Sequence, residues 1–106
     1  MSLSIIVIVV IFAHFLGDFV LQTDYLAVNK GNNLYIMFAH AFMWTFCICA
    51  ALLVVGINIH LTGFIWLLLS HIVIDRWKCK LGHNNKTFAI DQILHAITII
   101  LAVQNA

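Results

Sequence analysis

The stretch Ala13-His-Phe-Leu-Gly-Asp-Phe-Val-Leu-Gln22 places three polar side chains in an otherwise apolar run. His14, Asp18 and Gln22 are spaced four residues apart, so on an α-helix they form one row along a single face, about 12 Å long. Ionisable groups on a membrane helix are costly in lipid and face the interior of a helix bundle. The stretch therefore predicts a helix that turns one polar face toward its neighbours.

The same spacing recurs twice in later apolar segments. His71 and Asp75 repeat it near the end of one segment, and Asp91 and His95 repeat it in reverse order near the start of another. A further ionisable residue, His40, lies less than two turns from the start of the second apolar segment, which comes before both pairs. His40 and the three His–Asp pairs together indicate a shared site.

The composition excludes an ordinary soluble domain. Of the 106 residues, 64% are hydrophobic and 8% are charged, and the chain contains no proline, which indicates an integral membrane protein. The net charge of +1 gives no indication of a nucleic-acid partner. The first apolar segment has neither a basic region before it nor a small-residue cleavage pattern after it, so we expect it to be retained.

Four apolar segments approach the roughly 20 residues that a helix needs to cross a bilayer. They span residues 4–21, 34–55, 61–77 and 88–103, and they predict a single all-α transmembrane domain, an antiparallel up-down-up-down bundle of four helices. Asn33 is the predicted N-cap of the second helix, and Asn85 or Thr87 that of the fourth. Asp24 and Lys30 are predicted to be loop residues.

The basic residues predict the orientation. All five lie in or beside the first and third connectors: Lys30, Arg76, Lys78, Lys80 and Lys86. The positive-inside rule places these connectors in the cytoplasm and both termini outside, which predicts a multi-pass protein of the inner, cytoplasmic membrane. His60 and His83 lie in connectors and are expected to be solvated.

This topology brings the polar groups to one membrane depth, because they lie late in segments one and three and early in segments two and four. Converging carboxylates require compensation, and mixed imidazole and carboxylate ligands suit a divalent transition metal. We expect one or two ions, zinc in the first place and manganese, iron or nickel as alternatives. The predicted ligands are His14, Asp18, His40, His71, Asp75, Asp91 and His95.

A metal in such a site activates water and polarises a phosphoryl or acyl group. The favoured function is therefore a metal-dependent hydrolase that acts on an ester or phosphoester of a lipid or lipid-linked substrate from the cytoplasmic side, with Asp18, Asp75 and Asp91 as catalytic carboxylates. The predicted substrate-binding residues are Gln22, Lys30, Lys78 and Gln92.

The pattern resembles the DUF3307 family of small bacterial and phage membrane proteins. The matching features span residues 13 to 95: His14 with Gly17-Asp18-Phe19 and Leu21-Gln22, then Lys30, His40, His71-x-x-x-Asp75-x-x-Lys78, and Asp91-Gln92 with His95. The family is defined by sequence, so this resemblance implies little chemistry. The arrangement is also similar in style to that of small membrane-bound metal-dependent hydrolases, which modestly favours hydrolysis.

Two other classes of function remain open from the sequence. The same cluster suits a transporter or channel for metal ions or protons, and it also suits a metal that staples together a structural or partner-binding subunit. A homo-oligomer is compatible with each of these classes.

Overall fold

The computed structural model describes residues 2–82 and 84–106, so the prediction for His83 lies outside the described residues. The described chain is helical and contains no strand, which confirms the all-α class. The elements are α1 (Leu3–Phe15), a π-helical turn (Leu16–Val20), α2 (Asp24–Asn29), α3 (Leu34–Val54), α4 (Leu61–Leu81) and α5 (Asn85–Gln104).

The first helix changes its winding just where its polar residues begin. Ser2 caps α1 by accepting a hydrogen bond from the Ile5 N–H, and from Leu16 the chain continues as a π-helical turn that buries Gly17 and Asp18. The turn ends at Val20, so Gln22 lies beyond the helix. The prediction that Gln22 continues a helical row is therefore wrong, because the wider turn ends the helix first.

The first connector is more ordered than predicted. Thr23 caps α2 by accepting a hydrogen bond from the Leu26 N–H, and Asp24 is the first residue of that helix. Lys30 follows α2 directly, and its side chain turns inward, with only 6% of the residue exposed. The prediction of a loop residue is wrong for Asp24, which begins α2, and is confirmed for Lys30, which lies in the turn after α2.

Asparagines cap the N-termini of α3 and α5. Asn33 accepts hydrogen bonds from the Tyr35 and Ile36 N–H groups and caps α3, as predicted. The cap of α5 is Asn84, not Asn85 or Thr87. Asn84 and Thr87 form a reciprocal capping box, so α5 begins one helical turn before the predicted residue 88.

Within residues 2–82 and 84–106, three helical segments are long and apolar enough to cross a membrane: Leu3–Val20, Leu34–Val54 and Asn85–Gln104. These segments indicate a membrane protein. Helix α4 has 21 residues, but its last seven carry four charges: Asp75, Arg76, Lys78 and Lys80. It continues four residues beyond the predicted end at 77, so these charges lie on the helix.

Helix α3 lies at the centre of the packing. It contacts α1, the π-helical turn, α2 and α4, and α5 packs on α4. An apolar core occupies the end of the molecule away from the polar residues, and it contains Ile48 and Leu52 of α3, Leu67 of α4 and Ile99 of α5. Many large apolar side chains point outward, as expected of helices that face lipid.

Candidate metal centre

Six ionisable side chains form a buried cluster between this apolar core and the basic connectors. They come from the π-helical turn, α3, α4 and α5, and none is more than 2% exposed. The members are Asp18, His40, His71, Asp75, Asp91 and His95.

The first group in this cluster contains two carboxylates and two imidazoles, from Asp18, His40, His71 and Asp75, with one ligand atom from each within 4.8 Å of the others. The His40 Nε2 atom lies 3.3 Å from Asp18 Oδ1 and 3.2 Å from Asp75 Oδ2. The His71 Nε2 atom lies 3.8 Å and 3.6 Å from the same two oxygens. Two nitrogens and two oxygens therefore surround one point.

The second group contains Asp18, Asp91 and His95 and shares Asp18 with the first. The His95 Nε2 atom lies 3.2 Å from Asp91 Oδ1 and 3.7 Å from Asp75 Oδ1. Asp75 thus faces the first group through Oδ2 and His95 through Oδ1. The two groups adjoin each other and share the carboxylate of Asp18.

Seven buried atoms of the cluster have no hydrogen-bond partner among the described residues: His40 Nε2, His71 Nδ1 and Nε2, Asp75 Oδ1, Asp91 Oδ1, and His95 Nδ1 and Nε2. Buried polar atoms in proteins are normally paired. Ligand atoms that each lie 2.0–2.1 Å from a tetrahedral zinc are roughly 3.3 Å apart. The observed separations of 3.2 to 3.8 Å fit a shared cation better than direct hydrogen bonds.

Stacked rings hold the imidazoles in place. The rings of His71 and His95 are 4.4 Å apart and inclined by only 18°. The indole of Trp44 also stacks on the His71 ring, with 4.4 Å between the ring centroids. This stack fixes the direction of two candidate ligands, although they lie on different helices.

Two lysines reach the cluster from the connector side. Lys30 donates hydrogen bonds from Nζ to Asp75 Oδ2 at 2.7 Å and to Gln22 Oε1 at 2.6 Å. Lys78 donates to Asp91 Oδ2 at 3.3 Å and lies above the ring of Phe88. Each lysine thus partly neutralises one carboxylate of the cluster. Gln22 lies beside Lys30, on the connector side of the cluster.

A chain of hydrogen bonds approaches the cluster from the opposite side. The Trp44 indole N–H donates to His14 Nδ1 at 2.9 Å, so the proton of a neutral His14 lies on Nε2, which donates to Gln92 Oε1 at 2.7 Å. The Gln92 amide then donates from Nε2 to Asp91 Oδ2 at 2.9 Å and to Asp18 Oδ2 at 3.5 Å.

Of the seven predicted metal ligands, the structure brings six together and leaves His14 in this hydrogen-bond chain. Both ring nitrogens of His14 form hydrogen bonds, so the residue supports the cluster from outside.

The sequence analysis assigned no role to Trp44. Its position four residues after His40 was the available signal, because that spacing places both on one face of α3. His60 is exposed, as predicted.

The chain belongs to the family described as "Protein of unknown function (DUF3307)", which matches residues 6–106. This confirms the family indicated by the sequence motifs. Comparison with curated proteins and with solved structures gave no match.

Proposed function

We propose that this member of the DUF3307 family is a membrane-embedded metal-dependent hydrolase that acts on the phosphoester of a lipid from the cytoplasmic side. One observation supports the proposal above all: seven buried imidazole and carboxylate atoms of the cluster have no hydrogen-bond partner among the described residues. Two of them, the Nε2 atoms of His40 and His71, lie 3.2 to 3.8 Å from carboxylate oxygens of Asp18 and Asp75. Mixed nitrogen and oxygen ligands favour zinc, with manganese, iron and nickel as alternatives. The shared carboxylate of Asp18 favours two ions.

In the proposed topology, α1, α3, α4 and α5 cross the membrane in alternating directions. The charged end of α4 and the connector that contains α2 then lie on the same side, which the basic residues assign to the cytoplasm. Both termini lie outside. The cluster would lie in the cytoplasmic half of the bundle, within reach of lipid headgroups of that leaflet.

The charge balance supports an anionic substrate. Three carboxylates and the two ammonium groups of Lys30 and Lys78 leave one net negative charge when the imidazoles are neutral. One divalent ion reverses this to one net positive charge, and a second ion adds two more. A buried positive site favours an anionic ligand, and a phosphoester meets this requirement.

In this mechanism each group of the cluster has a defined task. His40, His71, His95, Asp18, Asp91 and Asp75 would hold the metal, which would supply an activated water and polarise the phosphoryl group. The Asp75 Oδ1 atom, which has no hydrogen-bond partner among the described residues, would accept a proton from water. Lys30, Gln22 and Lys78 would bind the phosphate oxygens, and the Gln92 amide would orient Asp91 and Asp18.

The first experiment measures the metal content of the protein purified in detergent without added metal. We expect about one or two transition-metal ions per chain in the wild type by elemental mass spectrometry, and loss of most of this metal in His71→Ala and Asp75→Ala. His60→Ala is the matched control, since it removes an exposed histidine. A folded wild-type protein that binds no transition metal, even after zinc is added, would overturn the proposal.

Complete burial of the cluster favours a second candidate, a structural metal. His71, Asp75, Asp91 and His95 are 0% exposed, as expected of a closed site that holds four helices together. The cobalt-substituted protein separates the two functions by its visible absorption spectrum. A spectrum that changes on addition of vanadate or a soluble phosphomonoester indicates an open position and a hydrolase, whereas an unchanged spectrum indicates a staple.

A further inference from the structure

A long apolar groove runs between α1 and α5, with Leu52 of α3 in its floor. Its volume is about 460 Å³, within the range of small-molecule binding sites. Aliphatic side chains form almost all of its walls, including Val7 and Val10 on α1 and Ile100 on α5. The groove opens to the lipid-facing side of the molecule.

One end of this groove adjoins the metal centre. The two helices run in opposite directions along it, so Leu3 and Val103 line one end and His14 and Gln92 line the other. His14 and Gln92 are hydrogen-bonded to each other, and Gln92 also donates to Asp91 and Asp18. A molecule in the groove would therefore have its apolar part against α1 and α5 and one end beside the cluster.

The length of the groove suits one acyl chain. From Leu3 to His14 the helix rises about 16 Å, which is close to half of the roughly 30 Å hydrocarbon core of a bilayer. This length is close to the thickness of the hydrocarbon layer that the acyl chains of one leaflet form. The groove is thus long enough for most of one chain of an ordinary phospholipid.

Charge complementarity places the headgroup. The lysines at the connector side, Lys30 and Lys78, lie beyond the polar end of the groove and contact the carboxylates of the cluster. We infer that the groove binds one acyl chain of a phospholipid whose phosphate lies at the metal centre. This inference rests on the proposed function, and it adds that the substrate is a phospholipid recognised by its chain as well as by its phosphate.

The test uses two photoactivatable lipids that carry a diazirine near the end of the same acyl chain. One is a phosphatidic acid and the other is the diacylglycerol that lacks the phosphate. Each is mixed at a low fraction into phosphatidylcholine vesicles that contain the zinc-loaded protein, and cross-linked residues are mapped by mass spectrometry. We expect at least fivefold more labelling of the groove walls by phosphatidic acid than by diacylglycerol.

Variants that fill the groove supply the second arm. Ala96→Trp and Val7→Trp place an indole in the groove from opposite walls. Their matched controls, Ile97→Trp and Ile8→Trp, change the next residue, which is exposed outside the groove. We expect the first pair to lose at least fivefold of the groove labelling and the second pair to label like the wild type, with zinc content unchanged in all four.

Two results would overturn the inference while the metal centre stands. The first is equal groove labelling by both lipids in zinc-loaded protein, because this shows only bulk lipid in the groove. The second is equal labelling by the groove variants and their controls. A protein that binds no zinc would instead overturn the proposed function. The two failures are therefore distinguishable.

Discussion

At the scale of single residues, the chain of hydrogen bonds from Trp44 gives a specific role to groups that do not bind metal. The direction of each hydrogen bond is fixed by the one before it. The Trp44 indole N–H donates to His14, and neutral His14 therefore donates to Gln92. Gln92 must then present its amide nitrogen to the carboxylates of Asp91 and Asp18. Carboxylates oriented in this way are prepared to bind a cation before it arrives.

Removal of the Gln92 side chain tests this role. We expect Gln92→Ala to weaken zinc affinity by about 10- to 100-fold, which is the usual effect of losing a group that orients metal ligands. The affinity is measured by competition with a fluorescent zinc chelator. Gln104→Ala is the matched control, since it removes an exposed glutamine from the same helix. Equal affinities of the two variants would show that Gln92 does not orient the ligands.

The sequence predicted which ionisable residues come together, but it did not predict the hydrogen bond between Trp44 and His14 that supports them. The i, i+4 pairs of His71 with Asp75 and Asp91 with His95 predicted the convergence, because that spacing fixes a common face on any α-helix. The supporting contact between Trp44 and His14 joins two helices across 30 positions. Such a contact depends on how α1 and α3 pack, and the spacing within either helix does not encode it.

At the scale of elements, the π-helical turn and Gly17 together bring Asp18 into the cluster. A π turn widens the helix and commonly occurs at functional sites. Gly17 permits close contact with α3, because a Cβ atom at this position would lie 2.9 Å from the Trp44 Cα atom and 3.3 Å from its ring. The approach of the turn to α3 therefore requires a residue without a side chain.

A methyl group at position 17 should separate these elements. We expect Gly17→Ala to destabilise the protein by about 1–3 kcal/mol, as overpacking does, and to weaken zinc binding, because the obstacle is backbone that cannot move aside. Thermal unfolding in detergent and zinc titration measure the two effects.

Gly63→Ala provides the comparison for this substitution. A Cβ atom there would lie 2.7 Å from the Cγ2 methyl group of Ile59, so this substitution also overpacks the chain, but against a side chain outside the cluster. A Gly17→Ala protein with the zinc affinity of Gly63→Ala would contradict the role given to the close approach.

The long helices were predictable and the short irregular elements were not. Apolar length alone indicated α1, α3, α4 and α5, since a bilayer-sized run of apolar residues favours a helix whatever its partners. The π-helical turn has no such signal, because Leu16 to Val20 would also suit an ordinary α-helix. Helix α2 is short and is stabilised by its Thr23 cap and by its packing on α3, and that packing is tertiary information.

At the scale of the whole molecule, charge is distributed toward one end. The connector that contains α2 and the end of α4 carry the basic residues, and the apolar core occupies the other end. The metal cluster lies between these regions. In the proposed topology this arrangement places the site nearer to the cytoplasmic face and separates it from the outer face by packed aliphatic side chains.

Reporter fusions test this orientation in a bacterial host. A C-terminal alkaline phosphatase, which is active only outside the cytoplasm, should be active, and a C-terminal green fluorescent protein should stay dark. Replacement of Lys30, Lys78, Lys80 and Lys86 by glutamine is expected to weaken this bias, because the positive charges determine the orientation. The opposite pair of signals from the unsubstituted chain would reverse the proposed topology.

Burial of the cluster has a consequence for the time course of metal exchange. Lys30 and Gln22 close one side, His14 and Gln92 close another, and the ligands between them have almost no exposed surface. A chelator cannot reach a bound ion until part of the structure opens, and opening of this kind has its own rate.

We therefore expect zinc to leave at a rate that becomes independent of the chelator concentration. The measurement uses an excess of a chelator that changes colour when it binds zinc. A rate that keeps rising in proportion to the chelator would mean that the ion exchanges through a permanently open path. The protein would then hold its metal by affinity alone, whereas the closed arrangement would retain it kinetically, even in a cytoplasm poor in free zinc.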